Sequence, residues 1–211
     1  MQHLPWRHLS PEAPLGFATK TQFLRLSLSP SNMCMDMAES IKPLSSAAVL
    51  PHRPYTTNSR RVCGWDVARN VSQSANIKLS PDAVNMQCPL SVASYLWMRE
   101  IDKIAKKDLG SSISEVIHYG TYSCRKQNGN TSGQWSEHAF ANAWDVAGFK
   151  LKNGSVITVK NGWDDDSAEA QFLRRTRDTA CKIFNVTLSP DFNAAHADHF
   201  HLDMGPTRTC R

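Results

Sequence analysis

The chain has 211 residues, 41% of them hydrophobic and 20% charged, with a formal net charge of +5 at pH 7. That length suits one domain with an appendage or two small domains, and the apolar fraction is enough for a packed core, so disorder throughout is excluded. The basic residues form only short pairs, Arg60-Arg61, Lys106-Lys107 and Arg174-Arg175. A nucleic-acid partner is not expected, because no long basic run interleaved with aromatics occurs. No transmembrane segment is expected either, since no run of about 18 apolar residues is present.

Residues 1–60 are rich in Ser, Pro and His, and Pro30, Pro43, Pro51 and Pro54 punctuate them. They read as an irregular tail or linker with a short helix near 35–41. The amino terminus lacks the apolar run of a secretory signal, because Arg25 and Ser27 break the stretch 23–28. Six widely spaced cysteines (Cys34, Cys63, Cys88, Cys124, Cys181, Cys210) contain no CxxC pair. A zinc ribbon or thioredoxin-like motif is therefore out, and disulfides in an oxidising compartment are expected, with the pairing open.

The second segment, 61–211, reads as a compact domain beginning near Cys63. Pro89 suits the first turn of a helix, and Val92, Tyr95, Leu96, Ile101, Ile104, Ala105 and Leu109 follow at helical spacing up to Gly110. A strand is expected over 113–123, then a polar loop over 124–130. The stretches 144–149 and 156–159 flank Asn153-Gly154 and predict a β-hairpin, since both turn residues tolerate positive φ. Asp166-Ser167-Ala168-Glu169 resembles a capping box opening a helix with Phe172, Leu173, Thr176, Ala180 and Ile183 inward. A last strand is expected over 199–204. Helix, strand, hairpin, helix, strand gives an α+β class, a small antiparallel sheet with flanking helices behind an irregular N-terminal segment.

Two stretches carry the chemistry. Ser136-Glu137-His138 runs on to Asp145, and His196-Ala197-Asp198-His199-Phe200-His201-Leu202-Asp203 stands near the carboxyl end. On a strand His199, His201 and Asp203 share one face, and Phe200 and Leu202 face a core. His138, Asp145 and His201 are the candidate metal ligands: a hydrolytic zinc site wants three N/O ligands and one open position. Asp198 and His199 both stand as candidate proton acceptors. Asp203 is placed to orient a histidine nitrogen, as outer carboxylates do, and His118 reads as a structural or exposed histidine. No G-x-S-x-G turn or phosphate-binding glycine loop occurs.

The spacing around His138, Asp145 and His201 resembles the zinc peptidases of bacterial cell-wall peptides, namely the D-alanyl-D-alanine carboxypeptidases, the murein endopeptidases and the lysostaphin-type enzymes. More closely, the stretch from Cys63 to Asp203 resembles the bacterial extensin-like C-terminal domain. The matching pieces are 120–125, 136–149 and 180–203, the last ending in His196-Ala197-Asp198-His199-Phe200-His201-Leu202-Asp203. The resemblance implies a zinc D-Ala-D-Ala-peptidase/hedgehog-like fold, with His138, Asp145 and His201 as Zn²⁺ ligands. Carboxypeptidase-type relatives place the catalytic carboxylate where Asp198 stands. Endopeptidase-type relatives place histidines where His199 and His196 stand. Arg125 corresponds by loop position to an arginine that binds or polarises substrate. The family carries glycine where this chain has Ala141, so an alanine there is strained by about 1 kcal/mol if the position needs positive φ. Trp144 also replaces a smaller aliphatic residue.

What the resemblance implies is metal-assisted hydrolysis of a peptidoglycan peptide in the periplasm or cell envelope, in stem peptides or cross-links. The alternative is a non-catalytic zinc-containing module that grips cell wall or a protein. Nothing in the sequence speaks to oligomeric state.

Overall fold

The computed structural model describes residues 49–51, 62–65 and 67–211. The helix expected near 35–41, and most of the segment read as an irregular tail, lie outside the described residues. The elements in order are β1 Val49–Pro51, β2 Val67–Val71, β3 Gln73–Ser74, β4 Ile77–Ser80, β5 Val84–Gln87 and helix α1 Cys88–Leu109. Then come β6 Ile113–Gly120, β7 Ala143–Leu151, β8 Val156–Thr158, the single turn α2 Val159–Gly162, helix α3 Ala168–Ile183, β9 Val186–Leu188, β10 Phe200–Asp203 and β11 Thr209–Cys210. The class is α+β, as the element order implies.

The main sheet is larger than the small antiparallel one expected, and it is mixed. Its order is β11-β9-β10-β7-β6-β4-β3, with β8 also on β7. β4 runs parallel to β6 and β11 parallel to β9, and the remaining pairs are antiparallel. A second sheet joins β1, β2 and β5. The strands between Cys63 and Pro89, and β9 and β11, have two to five residues each. Such short runs carry too few side chains to display a period of two.

α1 begins where Pro89 has no amide to lose and ends at Gly110, whose φ of 67° is the left-handed C-terminal turn that glycine adopts without strain. Its buried stripe runs through Leu90, Ala93, Trp97, Met98, Ile101 and Ala105. Val92 and Leu96, part of the expected helical spacing, are only half-buried, and the larger Trp97 and Met98 take core-facing positions. α3 starts one residue later than the expected box. Ser167, not Asp166, accepts the Ala170 amide at 3.1 Å.

Both helices cover one face of the sheet. Trp97 sits at the centre, fully buried, with ring centroids 5.9–6.0 Å from Trp144, Phe149 and Phe184. Its indole N–H donates to the Thr176 carbonyl of α3 at 3.1 Å, so the polar end of the indole is satisfied inside the core. Trp144 and Val146 of β7 and Phe200 and Leu202 of β10 all point into this core. Alternation then sends Asp145 and His201 to the opposite face.

One disulfide joins two loops and another ties α3 to β11. Cys63–Cys124 closes a sequence separation of 61 and Cys181–Cys210 one of 29, each worth about 4 kcal/mol on the chain-entropy account. Cys88 is also disulfide-bonded, and no described cysteine is free.

Two residues near the site make close demands on the backbone. A Cβ on Gly148 of β7 would lie 2.4 Å from the Ile157 carbonyl oxygen and 3.0 Å from the Thr158 Cα of β8. Ala141 ends a short 3-10 turn, Glu137–Phe140, at φ 53° and ψ 35°, in the left-handed region, so the condition on which strain was expected is met. It is fully buried beside Trp65 and Ala68. Left-handed strain of about 1–2 kcal/mol is set against roughly 0.8 kcal/mol for burying the methyl and about 0.5–1 kcal/mol of extra chain entropy for glycine.

Gly148→Ala is expected to lose about 1–3 kcal/mol in urea unfolding, because β8 must move off β7. A loss within error would show that β8 shifts freely. Ala141→Gly is expected to stay within about 1 kcal/mol of the native chain, because its gains and losses nearly cancel. A loss of about 2 kcal/mol or more in the same titration would mean that the buried methyl dominates.

Candidate metal centre

The site is built on the outward face of the β7–β10 pair. His201 and Asp145 stand directly opposite each other in its register. His138 comes from the 3-10 turn just before β7. That turn is capped by Ser136, whose hydroxyl accepts the His138 amide at 3.3 Å. It is held from three more sides. The Gly64 amide donates to the Ala139 carbonyl (2.8 Å), the Gln87 amide to the Ala141 carbonyl (2.9 Å), and the Gln87 side chain to the Phe140 carbonyl (2.6 Å).

His138 Nε2 lies 3.1 Å from Asp145 Oδ2 and 3.2 Å from His201 Nδ1, and His201 Nδ1 lies 3.0 Å from Asp145 Oδ1. The outer partners fix which nitrogen of each ring is bare. His138 Nδ1 faces the Thr121 carbonyl at 3.2 Å, and a carbonyl only accepts, so Nδ1 carries the proton. His201 Nε2 donates to Asp203 Oδ2 at 3.0 Å. Asp203 is itself held by the Gly205 amide on Oδ1 at 2.8 Å.

Three lone-pair donors, one of them the ionised Asp145 carboxylate, therefore converge on one point, and with both imidazoles neutral they repel. Positive charge relieves that repulsion, and a proton on an inner nitrogen or a shared cation could supply it. Tetrahedral bonds of about 2.0–2.1 Å put ligand atoms about 3.3 Å apart, so the observed 3.0–3.2 Å fits. Among the described residues these three form the group of histidine and carboxylate atoms close enough to share an ion.

Protons alone can do this work. Burial draws the His201 imidazole down, but the Asp145 and Asp203 carboxylates outweigh it and push it up to about 9. Burial raises the Asp145 carboxyl, but hydrogen bonds and charge from His138 and His201 hold it far below the usual carboxylate range.

His199 lies beside the cluster, its Nε2 3.7 Å from Asp145 Oδ1. Asp198 is not on the cluster itself. Its Oδ1 lies 2.8 Å from the far nitrogen of His199, Nδ1. His196 packs its ring 5.2 Å from His199 and 5.9 Å from His201, and its Nδ1 donates to Asn193 Oδ1 at 2.8 Å. Burial and the neighbouring imidazoles push His196 down to about 4, so it is neutral near pH 7.

Arg125 is exposed, and among the described residues it makes no hydrogen bond to the cluster. Only its charge reaches His196. His118 is buried and structural, bonded through Nε2 to the Asp82 carbonyl at 3.1 Å.

Sequence reasoning missed three contributors. The Thr121 carbonyl belongs to the backbone and leaves no signal in residue types. Tyr119 is 61% exposed with its ring 5.7 Å from His199, and Phe192 is 43% exposed with its ring 5.5 Å from His196. Alternation along β6, with His118 inward, was the available signal for Tyr119.

No curated protein and no solved structure matches the chain. The family described as extensin-like protein C-terminus matches residues 34–211, which hold every residue of the cluster. The chain therefore belongs to the extensin-like protein C-terminus family.

Proposed function

We propose that the protein is a zinc-dependent peptidase of bacterial cell-wall peptides, cutting peptidoglycan stem peptides or cross-links in the periplasm or cell envelope. One observation supports the reading: His138 Nε2, Asp145 and His201 Nδ1 converge within reach of one ion, and the outer partners fix both imidazoles. Three ligands leave a fourth position for water or substrate, whereas structural zinc sites use all four. Zinc bound there would supply a Lewis acid and lower the pKa of its water toward 7.

The remaining work falls to residues around the ligands. His199 Nε2 accepts the proton of the nucleophile and returns it to the leaving amine. Asp145 and His201 stay fixed by the register, so the reacting groups meet a preorganised face. Arg125 stands at the exposed rim, where it binds a substrate carboxylate in this reading. Tyr119 and Phe192 flank His199 and His196 with exposed rings, which suits the apolar parts of an extended peptide. The disulfides fit an oxidising compartment.

Purified protein is expected to cleave muropeptides, with activity lost to chelator and at least about 100-fold lower in His138→Ala. Mass spectrometry of the products names the bond. A chain that carries one equivalent of zinc and yields no product would sink the peptidase reading and leave a metal-holding binding module.

Zinc affinity is expected to rise with pH. Below about 9 the ion must displace the proton on His201, so affinity falls about tenfold for each unit of acidification and levels off above that pH. Competition against a chelator at several pH values measures this. A flat profile across neutral pH would show that no proton is displaced.

A further inference from the structure

Two carboxylates flank His199, one at each ring nitrogen. Asp198 Oδ1 lies 2.8 Å from Nδ1, and Asp145 Oδ1 lies 3.7 Å from Nε2. A carboxylate accepts and a neutral imidazole has one N–H to give. The shorter contact is a hydrogen bond and the longer one is not, so the proton sits on Nδ1. Nε2 is then bare and faces the ligand cluster.

Among the described residues neither Asp198 oxygen is hydrogen-bonded to the three candidate ligands. Its Oδ2 faces the Tyr119 hydroxyl at 3.4 Å, and its side chain is 42% exposed against 13% for His199. The tyrosine ring lies edge-on to the same imidazole. An aromatic as exposed as Tyr119 thus has a polar partner and a ring partner in one pair of residues.

We propose that Asp198 is a positioning residue and not the proton acceptor: it holds the Nδ1–H of His199, with Tyr119 bracing its second oxygen, so that the bare Nε2 of His199 meets the nucleophile. Its consequence for turnover rests on the peptidase reading above, whereas the hydrogen bond does not. In turnover the proton leaves the attacking water for Nε2, and the imidazolium charge is balanced by Asp198. The same proton then passes to the leaving amine nitrogen as the peptide bond breaks. This departs from the expectation, drawn from carboxypeptidase-type relatives, that the carboxylate at this position is the base.

The test uses the full chain as purified, with and without added zinc, labelled with ¹⁵N at histidine. Long-range ¹H–¹⁵N spectra at alkaline pH are expected to show His199 protonated at Nδ1, and to show the proton moved to Nε2 in Asp198→Ala. On muropeptides, Asp198→Ala is expected to lower kcat about 100-fold or more, with KM within about threefold and one equivalent of zinc retained. Asp198→Asn, whose side-chain oxygen can still accept, is expected to recover part of that loss. Tyr119→Phe, on an exposed ring that threatens no core, is expected to lose about two- to fivefold.

Wild-type His199 protonated at Nε2 would overturn the proposal. So would an Asp198→Ala protein that keeps kcat within about threefold, or one that loses its zinc. A wild-type chain that cleaves nothing sinks the peptidase reading alone, and the nitrogen spectra then support or overturn the hydrogen bond by themselves.

Discussion

The register between β7 and β10 is the constraint on which the site depends. It sets His201 opposite Asp145 and, on the other face, Leu202 opposite Trp144 and Phe200 opposite Val146. A slip of one residue would turn every side chain of β10 to the wrong face. It would drive His201 and Asp203 under the helices and expose Phe200 and Leu202. Fully burying one large apolar side chain is worth about 1.5–3 kcal/mol, so the core disfavours the slipped register strongly. The candidate ligands are therefore aligned by the apolar residues on either side of them.

That alignment creates a cost that the outer partners then direct. Burying bare imidazoles and a carboxylate together is unfavourable unless positive charge joins them. The Thr121 carbonyl and Asp203 remove the simplest relief, rotation of a ring or transfer of its proton to the inner nitrogen. The relief left is a proton shared on the His201 side or an ion in the centre. The same logic governs His199, where Asp198 competes with Asp145 for the ring's one proton and wins on distance. Each imidazole around the centre has its outer nitrogen occupied, and that common pattern gives the cluster its polarity.

Much of this was legible in the chain. The two long helices carry enough residues for a period to emerge, Gly110 marks the end of the first, and Asn153-Gly154 marks the hairpin turn. Alternation along 199–203 placed His201 on the ligand face and Phe200 in the core. The unread parts have physical causes. Strands of two to five residues between Cys63 and Pro89 have no measurable period, so the sheet was expected smaller than it is. The parallel pairing of β4 with β6 joins strands separated by the whole of α1, which no local pattern announces. The choice between Asp198 and His199 could not be read because spacing fixes where a Cβ points. It does not fix which way a carboxylate turns about its own bonds.

Division of the β7–β10 pair into a core face and a ligand face also governs what mutations can separate. The side chains of Trp144 and Phe200 lie in the core and hold the register, so truncating either removes fold and site together. Replacing His138 or Asp145 removes a candidate ligand but leaves its partners with unbalanced buried charge, which again mixes the two effects. Asp198 and Tyr119 lie outside both difficulties. They are exposed enough to be lost without opening the core, and they act through His199 rather than on the three converging atoms. Groups at that distance can reveal what the face does, because the scaffold does not need them to stand.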